Sequence, residues 1–188
     1  MTARRWTIAE VNVWDRPAFV AHLGFLFEQT PSIVEAAWAD RPFASRDDLH
    51  RALVSVLARL DEDHRVALIR AHPDLVGRAA LAGTLTRAST GEQQAAGLDP
   101  GRLTPEEIAR FADLNAVYRM RFGFPFVICA RENTKDAILA GFAARLGNDR
   151  DGEIATALAE IAKICWYRLV DAVDEGAEGG RRRAEGVD

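Results

Sequence analysis

Cysteine is nearly absent from this chain of 188 residues: Cys129 and Cys165 are the only two. They are too few and too far apart for a zinc motif or a disulfide framework. Their apolar settings, FVICAR and AKICWYR, read as buried free thiols, which fits a reducing compartment. Lysine is just as scarce, with Lys135 and Lys163 alone beside many arginines; we read this as compositional bias without functional meaning. No apolar run is long enough to predict a membrane span. The opening MTARRWTIAEVNVW lacks the apolar core and small-residue cleavage site of a secretory signal, and the final GVD is no peroxisomal or retention tripeptide. The expected location is therefore cytoplasmic. An excess of positive charge is missing too: the formal charge of −4 argues against a nucleic-acid grip by bulk electrostatics. A small anionic substrate stays admissible if cations are focused locally. Neither H-x-x-x-H nor H-x-x-E-H spacing occurs, so no metal site is expected.

Strand periodicity and internal repeats are also lacking, and the apolar spacing is helical almost throughout. Hydrophobic residues at 48% and charged residues at 28% are ordinary for a globular protein. A chain of this length buries roughly 70% of the surface its unfolded form exposes. Asp15 as N-cap and Pro17 in the first turn predict a helix to about Phe27. A short helix over 32–39 follows. Ser45 and Asp48 resemble a capping box before a helix with the stripe Leu49, Leu53, Val56 and Leu57. Another helix runs from Asp61 to Ala71, stopped by Pro73. Thr104-Pro105-Glu106-Glu107 is a strong helix start, predicted to extend to about Arg121. Helices over 133–146 and 151–174 complete the set. FGFPFVICA, interrupted by Pro125, reads as an extended apolar linker. The expected architecture is an all-α, single-domain helical bundle over 1–174, with an irregular apolar-lined insert around 77–103 and a disordered tail over 175–188.

Three places can carry chemistry. His22, His50 and His64 fall within helices near polar faces, the ordinary surface position. His72 differs because Pro73 follows it and pushes its backbone out of the helical region, so a corner aims the ring. Imidazole exchanges a proton near neutrality, although a plain helix-end histidine would look the same. In Ser89 to Gln93 (STGEQ), Ser89 reads as an N-cap closed by Glu92; the same turn would offer N–H groups to an anion. Arg168 sits beside the buried stripe Ile161, Ile164, Cys165, Leu169 and Val170. It fits either a snorkelling arginine paired with a carboxylate or a fork-shaped cation for a carboxylate or urea group.

In order along the chain, HPDLVG, STGEQ with AGL behind it, FGFPFVICAREN and ICWYRL resemble the 2-oxo-4-hydroxy-4-carboxy-5-ureidoimidazoline (OHCU) decarboxylase family of urate breakdown. The likeness extends from about Asn12 to Val173 and includes FEQTPSIVEAAW and DRPF. It implies an all-α fold and cofactor-free conversion of OHCU to (S)-allantoin with loss of carbon dioxide. It also implies that His72 is the catalytic histidine, Glu92 its acid/base partner and Arg168 the substrate-binding arginine. Pro73, Ser89 and Gln93 match pocket positions, and Phe126, Val127, Ile128, Cys129 and Ala130 match a stretch whose backbone lines the pocket. Trp166 departs from the pattern, standing where bacterial relatives often carry arginine. A homodimer is common in the family, and an exposed apolar face on the early helices would permit one. The competing expectation is a helical small-molecule-binding or regulatory module in which His72 is merely structural. It predicts binding without turnover.

Overall fold

The computed structural model describes residues 4–175. The described residues gather into two compact units. One is built from the residues up to Leu60 together with those from Cys165 on, the other from Asp61 to Ile164. Of the expected tail, all but Glu175 lies outside the described residues.

The first unit begins with β1 (Trp6–Thr7), α1 (Ile8–Val13) and α2 (Arg16–Leu23). The Asp15 carboxylate accepts the Ala18 N–H at 2.9 Å, as its N-cap position predicts. The expected run to Phe27 is broken after Leu23, and Gly24–Leu26 tightens into a 3-10 turn. Glycine suits that spot, because a Cβ on Gly24 would come within 3.3 Å of the Pro31 Cβ. Next come α3 (Pro31–Ala37), a 3-10 turn over Trp38–Asp40, and α4 (Arg46–Arg59). Ser45 caps α4 by accepting the Asp48 N–H at 3.1 Å, while Asp48 reaches past Ser45 to the Ala44 N–H at 2.9 Å. The sequence-level capping box is thus displaced by one residue. The core holds Phe19, Leu23, Ile33, Val34, Phe43 and the α4 stripe Leu49, Leu53, Val56 and Leu57. Burying side chains of this size is worth about 1.5–3 kcal/mol each before entropy is counted. Asn12 clasps Phe43 by both backbone groups, donating to its carbonyl at 2.9 Å and accepting its N–H at 2.8 Å. The unit closes with β2 (Val173–Asp174), which pairs in parallel with β1, Trp6 opposite Val173. A two-residue bridge has no period to read, so this element is invisible in the sequence.

The second unit carries α5 (Glu62–Ala71), α6 (Arg78–Leu81), α7 (Arg87–Ala95), a 3-10 turn at Pro100–Arg102, α8 (Pro105–Phe122) and α9 (Lys135–Arg145). The long α10 (Arg150–Ala172) starts here, and its residues from Cys165 on belong to the first unit. Thr104 and Glu107 form the reciprocal capping box expected of them, at 3.2 and 2.9 Å. Gly123 ends α8 in the left-handed region, φ 79°, with its N–H on the Arg119 carbonyl, a conformation that costs glycine little. The stretch after it, through Cys129, has no regular hydrogen-bonded structure and is largely buried, in keeping with an apolar linker.

The insert departs from its sequence reading in one respect that matters for the site. α7 does not begin at Ser89. Thr86 is the N-cap, its hydroxyl accepting the Ser89 N–H at 3.2 Å and bonding the Ser89 hydroxyl at 3.0 Å. Two overlapping start signals compete, Thr86-x-x-Ser89 and Ser89-x-x-Glu92, and the earlier one wins. Ser89 and Glu92 therefore lie inside the helix, and the anion-binding helix start expected at Ser89 is not there.

Candidate active site

His72 is the residue at which α5 stops. With Pro73 behind it, the backbone adopts the extended conformation, φ −75° and ψ 137°, while its N–H still closes onto the Ile69 carbonyl at 3.1 Å. The side chain is buried, 6% exposed, and ring Nδ1 lies 3.0 Å from the Leu68 carbonyl oxygen. A carbonyl only accepts, so Nδ1 carries the proton and, in the neutral ring, Nε2 carries the lone pair. The helix thus orients the ring and selects the tautomer whose proton is on Nδ1.

The corner beyond it is held from two neighbouring helices. Gln93 of α7 accepts the Val76 N–H at 3.0 Å and directs its amide at the Asp74 carbonyl, 3.5 Å away. Asn115 of α8 donates to the Leu75 carbonyl at 2.9 Å, and Arg119 Nε reaches both Asp74 oxygens, at 2.9 and 3.1 Å. Between these tethers Val76 sits at φ 52°, an expensive conformation for a β-branched residue. Such strain costs about 1–3 kcal/mol and persists only when the surroundings over-determine it. Gly77 admits no side chain, since a Cβ there would meet the Asp74 Cβ at 2.5 Å. Pro73 is half-buried beside the ring-bearing residue.

Ser89, Glu92 and Gln93 are spaced i, i+3, i+4 and so share one face of α7. Ser89 and Gln93 are buried, and Glu92 is half-buried. The same helix lies against the 3-10 turn Ala130–Glu132, which brings it to the end of the Phe126–Ala130 stretch. In that stretch Phe126, Val127, Cys129 and Ala130 are buried, and Ile128 alone is half-exposed. Val127 gives its carbonyl to Arg145 at 2.7 Å, and Cys129 gives its N–H to Glu160 at 2.7 Å. Burial pushes the Cys129 thiol up to about 11 and the Cys165 thiol up to about 12. Both are free and buried as expected, and neither forms a thiolate near neutrality.

Arg168 belongs to the first unit and is 3% exposed. Its guanidinium donates to the Phe25 carbonyl at 3.0 Å and to the Glu28 carboxylate at 3.2 Å, a carboxylate that is itself 4% exposed. The carboxylate partner anticipated for a structural arginine is there, but as a buried pair and not at the surface. Trp166, two residues earlier on the same helix, is half-buried, its ring 5.2 Å from that of His50, with the Arg46 guanidinium 5.1 Å above it.

The structure thus places His72, Pro73, Ser89, Glu92, Gln93 and the Phe126–Ala130 stretch in one compact unit and Arg168 in the other. Asp74, Asn115 and Arg119, which fix the His72 corner, are not nominated by any motif in the sequence. A signal for Asn115 existed: Phe111, Asn115, Tyr118 and Phe122 form the buried stripe of α8, and a polar residue on such a stripe demands a partner. Among the described residues no group of three or more His, Cys, Asp or Glu side chains is placed to hold a metal ion, and no helix is long and apolar enough to cross a membrane.

A helical protein with a buried, tautomer-fixed histidine, on a corner tied through Gln93 to a helix that also carries serine and glutamate on that face, has the parts an enzyme needs to move protons on a small polar molecule. The profile of the family described as OHCU decarboxylase matches residues 12–170. The 2-oxo-4-hydroxy-4-carboxy-5-ureidoimidazoline decarboxylase of Amia calva is 42% identical over 164 residues, covering 87% of this chain and 93% of its own. That of Mus musculus is 38% identical over 178 residues, covering 95% and 98%. A crystal structure of (S)-allantoin synthase superposes with a TM-score of 0.70 at 26% identity, covering 89% of this chain and 54% of that one, so this chain spans about half of its length. The chain belongs to the OHCU decarboxylase family.

Proposed function

We propose that this chain decarboxylates OHCU to (S)-allantoin in urate breakdown, with His72 and Glu92 as its proton-transfer groups. The observation that carries the reading is the His72 ring, buried and fixed with its lone pair on Nε2 by the Leu68 carbonyl. The substrate's name defines the chemistry it must undergo. Carbon 4 bears a hydroxyl and a carboxylate, and carbon 5 belongs to a ring C=N bond. When the C4–carboxylate bond breaks, its electron pair enters the C4–C5 bond and the imine nitrogen accepts the displaced pair and a proton. Loss of the hydroxyl proton then gives the C4 carbonyl, and delivery of a proton to one face of C5 sets the stereocentre. A histidine–glutamate pair suits these transfers, and general acid–base catalysis contributes typically about 10²- to 10⁴-fold.

Because the substrate carries its own electron sink, we assign the reaction no cofactor and no metal. Pro73, Ser89, Gln93 and the backbone of Phe126–Ala130 line the substrate, and Arg168 binds its anionic or urea-like end. Gln93 has a second duty, since its carboxamide also holds the His72 corner. A cytoplasmic setting and a homodimer belong to the same proposal. Carbon dioxide release from freshly generated OHCU, before and after chelator treatment of the purified protein, tests it. Turnover that survives chelation supports the reading; binding of OHCU without release, or turnover restored only by added zinc, contradicts it.

A further inference from the structure

The Phe126–Ala130 stretch has no ladder of its own, yet it must keep a fixed shape if it is to line a pocket. Its fixing points lie outside the proton-transfer site. Arg145 of α9 donates to the Val127 carbonyl at 2.7 Å and lays its guanidinium 4.4 Å above the Phe126 ring. Phe126 in turn stacks on Phe142, with centroids 3.9 Å apart, and meets the Tyr118 ring edge-on at 5.2 Å. The arginine is itself held. Its Nε and Nη2 both bond one oxygen of Glu153, at 2.8 Å for Nε. Glu153 is completely buried; the Tyr118 hydroxyl donates to the oxygen that Arg145 holds, and the Asn148 amide donates to the other at 2.7 Å.

A buried carboxylate with this many donors is costly to assemble, and an apolar cluster of equal volume would often be at least as stable. Stability alone is therefore a poor account of it. What the ion pair does that leucines would not is place a planar, two-edged cation at a set angle. One edge is locked to Glu153, and another fixes the height of the Val127 carbonyl. Two residues on, Glu160 fixes the Cys129 N–H, and Ile128 between them is the half-exposed residue of the stretch.

We propose that Arg145, locked by the Glu153–Tyr118–Asn148 cage, is a positioning residue for the decarboxylation, setting the backbone of the Phe126–Ala130 stretch against the substrate. This rests on the reading that the stretch lines the substrate site. Arg145→Lys keeps the charge for Glu153 and loses the second prong and the flat face. Tyr118→Phe removes one donor from the cage and keeps the ring packing, so it serves as a milder second variant that will fold. Two measurements are made on wild type and both variants: amide hydrogen exchange of the peptide spanning 126–130, and kcat and KM on OHCU per folded molecule. The expected result is faster exchange of that peptide together with a kcat/KM lower by about ten- to a hundredfold in Arg145→Lys, the scale of a misplaced substrate contact, and the same pair of changes, smaller, in Tyr118→Phe. Unchanged exchange overturns the proposal, as does faster exchange with kcat/KM within twofold of wild type, which would make the cage structural only. A wild-type protein inert toward OHCU would remove the functional reading instead, and the exchange measurement would still decide whether Arg145 fixes the stretch.

Discussion

His72 and Arg168 are both all but inaccessible, 6% and 3% exposed, yet the molecule fixes them in different ways. The His72 ring is aimed by its own helix through one carbonyl, and its corner is pinned by tethers on backbone groups from Gln93 and Asn115. Arg168 is held at its side-chain tip, the guanidinium lying on Glu28 and the Phe25 carbonyl. The difference separates two kinds of built-in order. Restraint on Nδ1 and on the backbone is what the proposed proton-transfer role of His72 would need, since the ring is oriented while Nε2 keeps its lone pair. Restraint on the guanidinium itself is what the proposed recognition of a planar group by Arg168 would need, and the Glu28 carboxylate supplies it directly.

Truncating the arginine should separate the two kinds of restraint most sharply. Arg168→Ala removes the guanidinium from the buried Glu28 carboxylate, and loss of one partner of a buried pair costs about 3–5 kcal/mol. Urea denaturation should show a midpoint well below wild type; a loss under about 1 kcal/mol, the scale of an exposed pair, would mean that the pair is solvated and does not order the guanidinium.

Asn115→Ala is the matching test at the histidine corner. It leaves the buried Leu75 carbonyl without its donor, a cost of about 1–3 kcal/mol, and loosens the turn that places His72. The expected signature is a modest loss of stability with a larger loss of kcat than of substrate affinity. Stability loss with unchanged kcat in the folded protein would show that the tethers serve only the fold.

The difference in how these residues are fixed also explains what the sequence discloses. Thr104 and Glu107 are three residues apart, so their capping box is a local pattern and is read correctly. His72 is legible because the residue beside it is proline. The tethers are not legible as contacts, since Gln93 and Asn115 lie 17 and 40 positions from their partners, and only the oddity of asparagine on an apolar stripe hints at one. Glu28 and Arg168 are 140 positions apart; chemistry on the stripe and a family resemblance nominate the arginine, and nothing local nominates the glutamate. The Thr86 start fails for another reason: two sound local signals overlap, and propensity does not rank them.

A smaller effect concerns pH. Burial pushes the Glu153 carboxyl up from an ordinary 4.5 to about 7, and the Arg145 guanidinium down to about 10, still cationic at neutrality. A carboxyl whose folded pKa is raised binds more protons folded than unfolded between those values. Its contribution is fully present below 4.5 and is lost as pH rises through about 7. Glu153→Gln should therefore flatten the fall in stability across that window, measured as melting temperature against pH. A slope identical to wild type would place the titration elsewhere.

If His72 moves the protons of the reaction, His72→Asn removes that capacity and leaves the corner in place. Asparagine keeps a polar side chain before Pro73 and cannot exchange a proton near pH 7. The expected kcat on freshly made OHCU is lower by at least about 10²-fold, the lower end of what general acid–base catalysis supplies, with substrate binding within roughly tenfold and a melt close to wild type. A stable variant with near-wild-type kcat would contradict that role for His72.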